Sequence, residues 1–147
     1  EMCIRDRFYA SSKDEIDRMV GEASEISGLG SRLKDKIKTY SKGMKRRLLI
    51  SRSLMIKPKL AILDEPTAGL DVLHAYHVRN IIKEYSRKYG VTILLSSHNM
   101  LEVEFLCDRV SIIHNGKLLI EGKPGELKEK FDVSNLEEVF ARVTNLE

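Results

Sequence analysis

Apolar residues recur at helical spacing near the start of the chain, where Ile16, Met19, Val20, Ala23 and Ile26 share one face. Ser12 and Glu15 stand at capping-box spacing ahead of them and Gly28 comes after, which predicts an amphipathic helix of about four turns. Leu29 to Thr39 is polar and lysine-rich, with Leu33 and Ile37 at i, i+4 marking a short helix. Tyr40 to Met44, YSKGM, opens a second long helix in which Met44, Leu48, Ser51 and Met55 mark one face. Lys57-Pro58 ends it, because the residue before a proline is pushed out of the helical region.

The pattern then changes period. Leu60 to Leu63 is apolar without alternation, as in a strand buried on both faces, and it runs into two adjacent carboxylates, Asp64 and Glu65. Asp71 is a good N-cap for a helix from about Val72 to Tyr89, stopped by Gly90, with Val72, Tyr76, Ile81, Ile82 and Tyr85 as inner-face candidates. Val91 to Leu95, VTILL, is a second continuous apolar strand, ending in Ser96, Ser97 and His98. Strand, helix, strand in this order implies a right-handed crossover and parallel pairing, and so an α/β fold. Met100 to Leu106 reads as a short helix. Val110 to Ile113 and Lys117 to Glu121 flank Asn115-Gly116, a strong hairpin signal. Pro124 suits the first turn of a helix through Phe131. Ser134 and Glu137 announce a last helix with Leu136, Val139, Phe140 and Val143 on one face.

Composition narrows the class without choosing a function. The chain has 147 residues, 42% hydrophobic and 32% charged, enough for one domain's core and without a disordered bias. A net charge of +3 argues neither for nor against a nucleic-acid partner, which needs charge clustered on one face. No apolar run approaches the ~20 residues of a spanning helix, so a membrane connection is expected to come through a partner. Cys3 and Cys107 form no ligand-spaced pair, which points to a reduced, cytosolic chain. Residues 1–7, EMCIRDR, share no pattern with the rest of the chain. Read back into codons, they are compatible with a transposon end sequence used in sequencing-library preparation, and are expected to be adapter read-through; an ordinary frayed terminus is the plainer alternative.

A buried strand that ends in two acids delivers them to the crevice beyond the carboxyl ends of a parallel sheet, where ligands usually bind. Ser41 and Gly43 lie at a predicted helix start, where free amides and the helix dipole favour an anion. His74 and His77 are three apart on a helix, but nothing nearby supports a metal site, so both are read as solvated or packing side chains. The basic run Lys42, Lys45, Arg46 and Arg47 reads as a charged outer helix face.

Taken in order, YSKGMKRRL at 40–48, LAILDEPTAGLD at 60–71 and LLSSH at 94–98 resemble the second half of an ABC-type ATPase domain. The resemblance runs from about Phe8 to the C-terminus. It implies the C-terminal half of a P-loop (RecA-like) domain: parallel strands with flanking helices, part of the helical signature subdomain, then a C-terminal β-hairpin and helices. The implied divisions are 8–56 for the helical and signature region, 57–123 for the catalytic core half and 124–147 for the tail. Carried over residue by residue, Asp64 matches the acid that holds Mg2+ through a coordinated water, and Glu65 the general base that polarises the attacking water. His98 matches the switch histidine that contacts the γ-phosphate of ATP. Ser41 and Gly43 match signature positions that face a nucleotide held by a second ATPase domain, and Asp71 the loop aspartate that couples the two sites. Adjacent strand ends would bring Asp64, Glu65 and His98 together. Tyr40, Lys42 and Met44 depart from the commoner leucine-serine-glycine-glycine-glutamine signature, while Ser41 and Gly43 keep it.

No G-x-x-x-x-G-K-[ST] occurs anywhere in the sequence, so the loop that would cradle the α and β phosphates is absent from it. The chain is therefore expected neither to bind ATP tightly nor to hydrolyse it alone, and to expose core-facing apolar surface. The tail, EGKPGELKEKF and SNLEEVFARVT, resembles the ends of exporter ATPase subunits whose channel is formed by separate membrane proteins. The expected partners are then a second ATPase domain and an integral membrane subunit, without nucleic acid, at the cytoplasmic face of the cell membrane. Two alternatives stand beside this: a soluble ABC ATPase of the translation-factor or DNA-repair and chromosome type, and a non-catalytic regulatory fragment.

Overall fold

The computed structural model describes residues 12–144, and the adapter reading of residues 1–7 and the position of Cys3 lie outside them. The described chain falls into two compact units that divide after Ser96.

In the first unit, Ser12 caps helix α1 (Lys13–Ser27): its hydroxyl accepts from the Glu15 amide at 3.2 Å, and Gly28, in the left-handed region at φ 59°, ends it. Met19 and Ala23 are buried with Met55. Two short 3-10 turns, Gly30–Lys34 and Ile37–Thr39, stand where the spacing predicts one short helix, and Tyr40 is buried with its hydroxyl donating to the Arg32 carbonyl. Helix α2 (Lys42–Leu54) comes next. Its buried stripe is Gly43, Ile50, Ser51 and Leu54, while Met44 and Leu48 of the expected face are only half-buried.

Strand β1 (Leu60–Asp64) leads through helix α3 (Val72–Tyr89) to strand β2 (Thr92–Ser96), paired in parallel and in register from Leu60↔Thr92 to Asp64↔Ser96. The expected inner face of α3 needs correcting. Ile82 and Tyr85 are buried, but Val72 is 85% exposed and Tyr76 51%, and Ala75 and Val78 take their places. Ala75, Val78, Ile82 and Tyr85 fall within one arc of the helix, and Val72 and Tyr76 lie outside it. The Tyr85 hydroxyl, buried, donates to the Leu54 carbonyl at the end of α2. The strands also differ from the expectation of burial on both faces. Ala61 and Leu63 point inward, whereas Leu60, Ile62 and Leu94 are 51%, 71% and 59% exposed.

In the second unit, Asn99 caps helix α4 (Met100–Leu106). Strands β3 (Val110–His114) and β4 (Lys117–Gly122) pair antiparallel across Asn115-Gly116, whose φ values of 47° and 74° are those of a tight hairpin turn. Helix α5 (Pro124–Phe131) carries proline in its first turn, and helix α6 (Leu136–Thr144) closes the unit. Its start is shifted from the expected Ser134 and Glu137 signal: Asn135 Oδ1 accepts from the Glu138 amide at 2.9 Å, and both Ser134 and Asn135 bond the Glu138 carboxylate. Val103, Ile112, Leu127, Leu136, Val139 and Val143 form the core of this unit.

Candidate functional site

The parallel register sets the ends of β1 and β2 side by side, so Asp64 and Ser96 share one face of the sheet. The Ser96 hydroxyl donates to Asp64 Oδ1 at 2.5 Å and accepts from the Glu65 backbone amide at 3.1 Å. That amide lies 3.1 Å from the Ser96 carbonyl as well. Glu65 itself stands in the left-handed region, at φ 46°. A non-glycine residue there costs on the order of 1 kcal/mol and is held by its surroundings. Here the restraints are Ser96 on one side and a tight turn on the other, closed by the Ala68 amide on the Glu65 carbonyl and the Leu70 amide on the Thr67 carbonyl, with Pro66 and Thr67 buried. The chain is thus turned sharply at the moment it leaves the sheet, with Asp64 exposed and Glu65 half-buried beside it.

A second cluster is built on the start of α2. The Ser41 hydroxyl accepts from the Met44 amide at 3.1 Å. Gly43 is buried against the His74 ring, so tightly that a β-carbon at 43 would lie 2.5 Å from His74 Cδ2. His74 in turn belongs to Asp71, which caps α3: Oδ1 accepts from the His74 amide at 3.0 Å, and Oδ2 lies 2.6 Å from Nδ1 of the ring. The backbone bond first, then the ring, hold the Asp71 carboxyl below its ordinary range. Lys42 lays its ammonium against Gly69, in the space a β-carbon would need, and Gly69 requires its freedom at φ 67°. Gly43 and Asp71 are therefore gathered around His74, with Ser41 capping the same helix, and the 65–71 turn links this cluster to Asp64 and Glu65.

His98 is exposed and lies in the second unit, in the turn before α4. Ser96 and His74 are not among the sequence candidates. Ser96 is legible in principle, because the in-register parallel pairing that places Asp64 at one strand end places Ser96 opposite. His74 reads from sequence as solvated or packing, and the structure makes it packing. His77 is exposed, and among the described residues no group of three or more acidic, histidine or cysteine side chains could hold a metal. A single carboxylate, Asp64, still suits Mg2+, which commonly takes one or two carboxylates and completes its shell with water and substrate phosphate.

A family model described as ABC transporter matches residues 2–68, a span that contains Ser41, Gly43, Asp64 and Glu65. The linearmycin resistance ATP-binding protein LnrL of Bacillus subtilis is 42% identical over 121 residues, covering 82% of this chain and 39% of that protein. The Nod factor export ATP-binding protein I of Rhizobium johnstonii is 39% identical over 132 residues, covering 88% of this chain and 41% of that protein. The chain belongs to the ABC transporter ATP-binding family. Solved structures agree on the fold. An ATP-binding subunit of an ABC transporter superposes at a TM-score of 0.80 with 29% identity, over 97% of this chain and 60% of that one. The cbiO1 protein of Clostridium perfringens, part of the ABC transporter complex cbiONQ, superposes at 0.77 with 32% identity, over 100% and 56%. The chain spans about two fifths of the length of the curated relatives it matches.

Proposed function

We propose that the chain is the signature and acid-bearing part of an ATP-hydrolysing subunit that drives transport across a membrane. The observation that carries this is the strand-end pair, Asp64 and Glu65, held in a fixed and strained turn by Ser96 of the neighbouring parallel strand. Phosphoryl transfer to water asks chiefly for positioning and charge stabilisation, which is what a rigid display of two carboxylates supplies. In this reading Asp64 holds Mg2+ through a coordinated water, and the ion neutralises phosphate charge. Glu65 takes the proton of the attacking water, and its restrained backbone fixes where the carboxylate can reach. His98 contacts the γ-phosphate. Ser41 and Gly43 offer the start of α2 to a nucleotide held by a second ATPase domain, and Asp71, tied to that helix through His74, couples the two.

The names of the relatives, one in linearmycin resistance and one in Nod factor export, support an exporter type, with an integral membrane subunit as partner at the cytoplasmic face of the membrane. No helix among the described residues is long and apolar enough to cross a membrane. With no phosphate-cradling loop in its sequence, the 147-residue chain is inactive by itself.

The test joins residues 8–147 to the phosphate-loop half of a relative. Magnesium-dependent ATP turnover is expected from the joined protein and none from the 147-residue chain. Glu65→Gln should lower kcat of the joined protein by at least about a hundredfold while leaving ATP binding intact. Turnover by the 147-residue chain alone, or an active Glu65→Gln protein, would refute the corresponding part. An adjacent reading frame with about six apolar stretches of spanning length would identify the membrane partner.

A further inference from the structure

Glu102, in the first turn of α4, is a charged side chain in the wrong place for one. It is 1% exposed, among the most buried side chains of the described molecule. A carboxylate withdrawn from water is costly unless its oxygens are satisfied, and such groups persist where they do something an apolar side chain cannot. One oxygen, Oε2, accepts from the Ser97 hydroxyl at 2.5 Å; the other, Oε1, is buried with no partner among the described residues. A solvated helix-end charge is excluded by that burial.

What the carboxylate holds is a turn. The Ser97 hydroxyl donates to Glu102 and accepts from the Asn99 amide at 3.1 Å. Asn99 closes the circuit, its Oδ1 accepting from the Glu102 amide at 3.2 Å and its carbonyl from the Val103 amide at 3.1 Å. His98 is the residue between the two anchored ones. A hydroxyl rotates freely about its C–O bond, so an acceptor that fixes the Ser97 proton holds a lone pair of its oxygen toward the Asn99 amide. Glu102 is that acceptor.

We propose that Glu102 is a positioning residue for His98: its buried carboxylate orients the Ser97 hydroxyl, and through it the 97–99 turn on which His98 is displayed. The functional weight of this rests on the γ-phosphate role proposed for His98; the structural part does not.

The test uses the 147-residue chain and follows amide hydrogen exchange at Asn99 together with the ring resonances of His98 by NMR. Ser97→Ala and Glu102→Ala should each speed exchange at Asn99 roughly tenfold, as the loss of one net hydrogen bond implies, and shift the His98 ring signals. Glu102→Gln keeps an acceptor oxygen and should restore both toward the parent. The double variant should be little worse than either single one, because the two groups act as a unit. Unchanged exchange and ring signals in Ser97→Ala, which removes one oxygen and leaves the core intact, would overturn the positioning role; so would Glu102→Gln behaving like Glu102→Ala. In the joined, ATP-hydrolysing protein, His98→Ala with full turnover would remove the phosphate role of His98 while leaving the Glu102–Ser97–Asn99 result as it stands.

Discussion

Gly43 shows how a motif residue can be legible in sequence while its reason is not. Ser41 and Gly43 emerge from the signature spacing, at a helix start whose free amides and dipole favour an anion. In the structure Gly43 is needed for a further reason: the space a β-carbon would occupy is filled by the ring of His74. Gly43→Ala would force a β-carbon into that ring, and overpacking of this kind costs about 1–3 kcal/mol. Urea unfolding should show a loss of that size, and His74→Ala added to it should recover part, since the two sites share one space. An additive loss would mean that something other than the ring excludes the side chain. The packing of His74 has no local signal, because its partner lies on another helix far away in the chain. Ser96 is the opposite case: once the strands are paired in register, its place beside Asp64 is determined.

At the scale of elements, periodicity locates nearly every helix and strand, and misplaces faces in α2 and α3. Val72 and Tyr76 look like core residues of α3 and are exposed, because the buried arc of the helix runs through Ala75, Val78, Ile82 and Tyr85 and both lie outside it. Hydrophobicity alone ranks tyrosine above alanine; the position of each around the helix decides which is buried. The contact between α2 and α3 is also where a pH effect is expected. Burial first, then the nearby Tyr89 and Glu22, push the Tyr85 hydroxyl up to about 12 from its ordinary 10.0. The neutral form is the one the fold prefers, so this stabilisation is complete below pH 10 and is lost as pH rises from 10 toward 12. Tyr85→Phe should remove one of the two donors to the Leu54 carbonyl, which keeps the Lys57 amide, cost about 0.5–1.5 kcal/mol at neutral pH, and flatten the alkaline loss of stability. A variant with the same alkaline transition as the parent would place the titration elsewhere.

On the scale of the whole molecule, the two-stranded sheet has one face buried at Ala61 and Leu63 and one open. Leu60, Ile62 and Leu94 stand on the open face, at the end of which Asp64 and Ser96 meet. Among the described residues each strand also keeps one edge unpaired. Such a surface favours association. The 147-residue chain should self-associate in solution, and Ile62→Lys with Leu94→Lys should raise its monomer fraction in sedimentation while changing stability by no more than about 0.5 kcal/mol each, as surface substitutions do. If the substituted chain associates as strongly as the parent, the open face is not the contact.

Local chemistry was enough to define the elements, the acids at the strand end, the signature positions and the family they resemble. Apolar period, caps, turn residues and proline all act within a few positions, so they can be read without knowing the fold. What only tertiary structure decided is which atoms meet. Ser96 clamps the Asp64-Glu65 turn, His74 fills the space at Gly43, and Glu102 is buried behind Ser97. The strands LAIL and VTILL read as buried on both faces, but burial depends on what packs on each side and not on the side chains alone. Each of these is a contact between positions that no local pattern relates, and a chain can carry them only once its sheet register and helix faces are set.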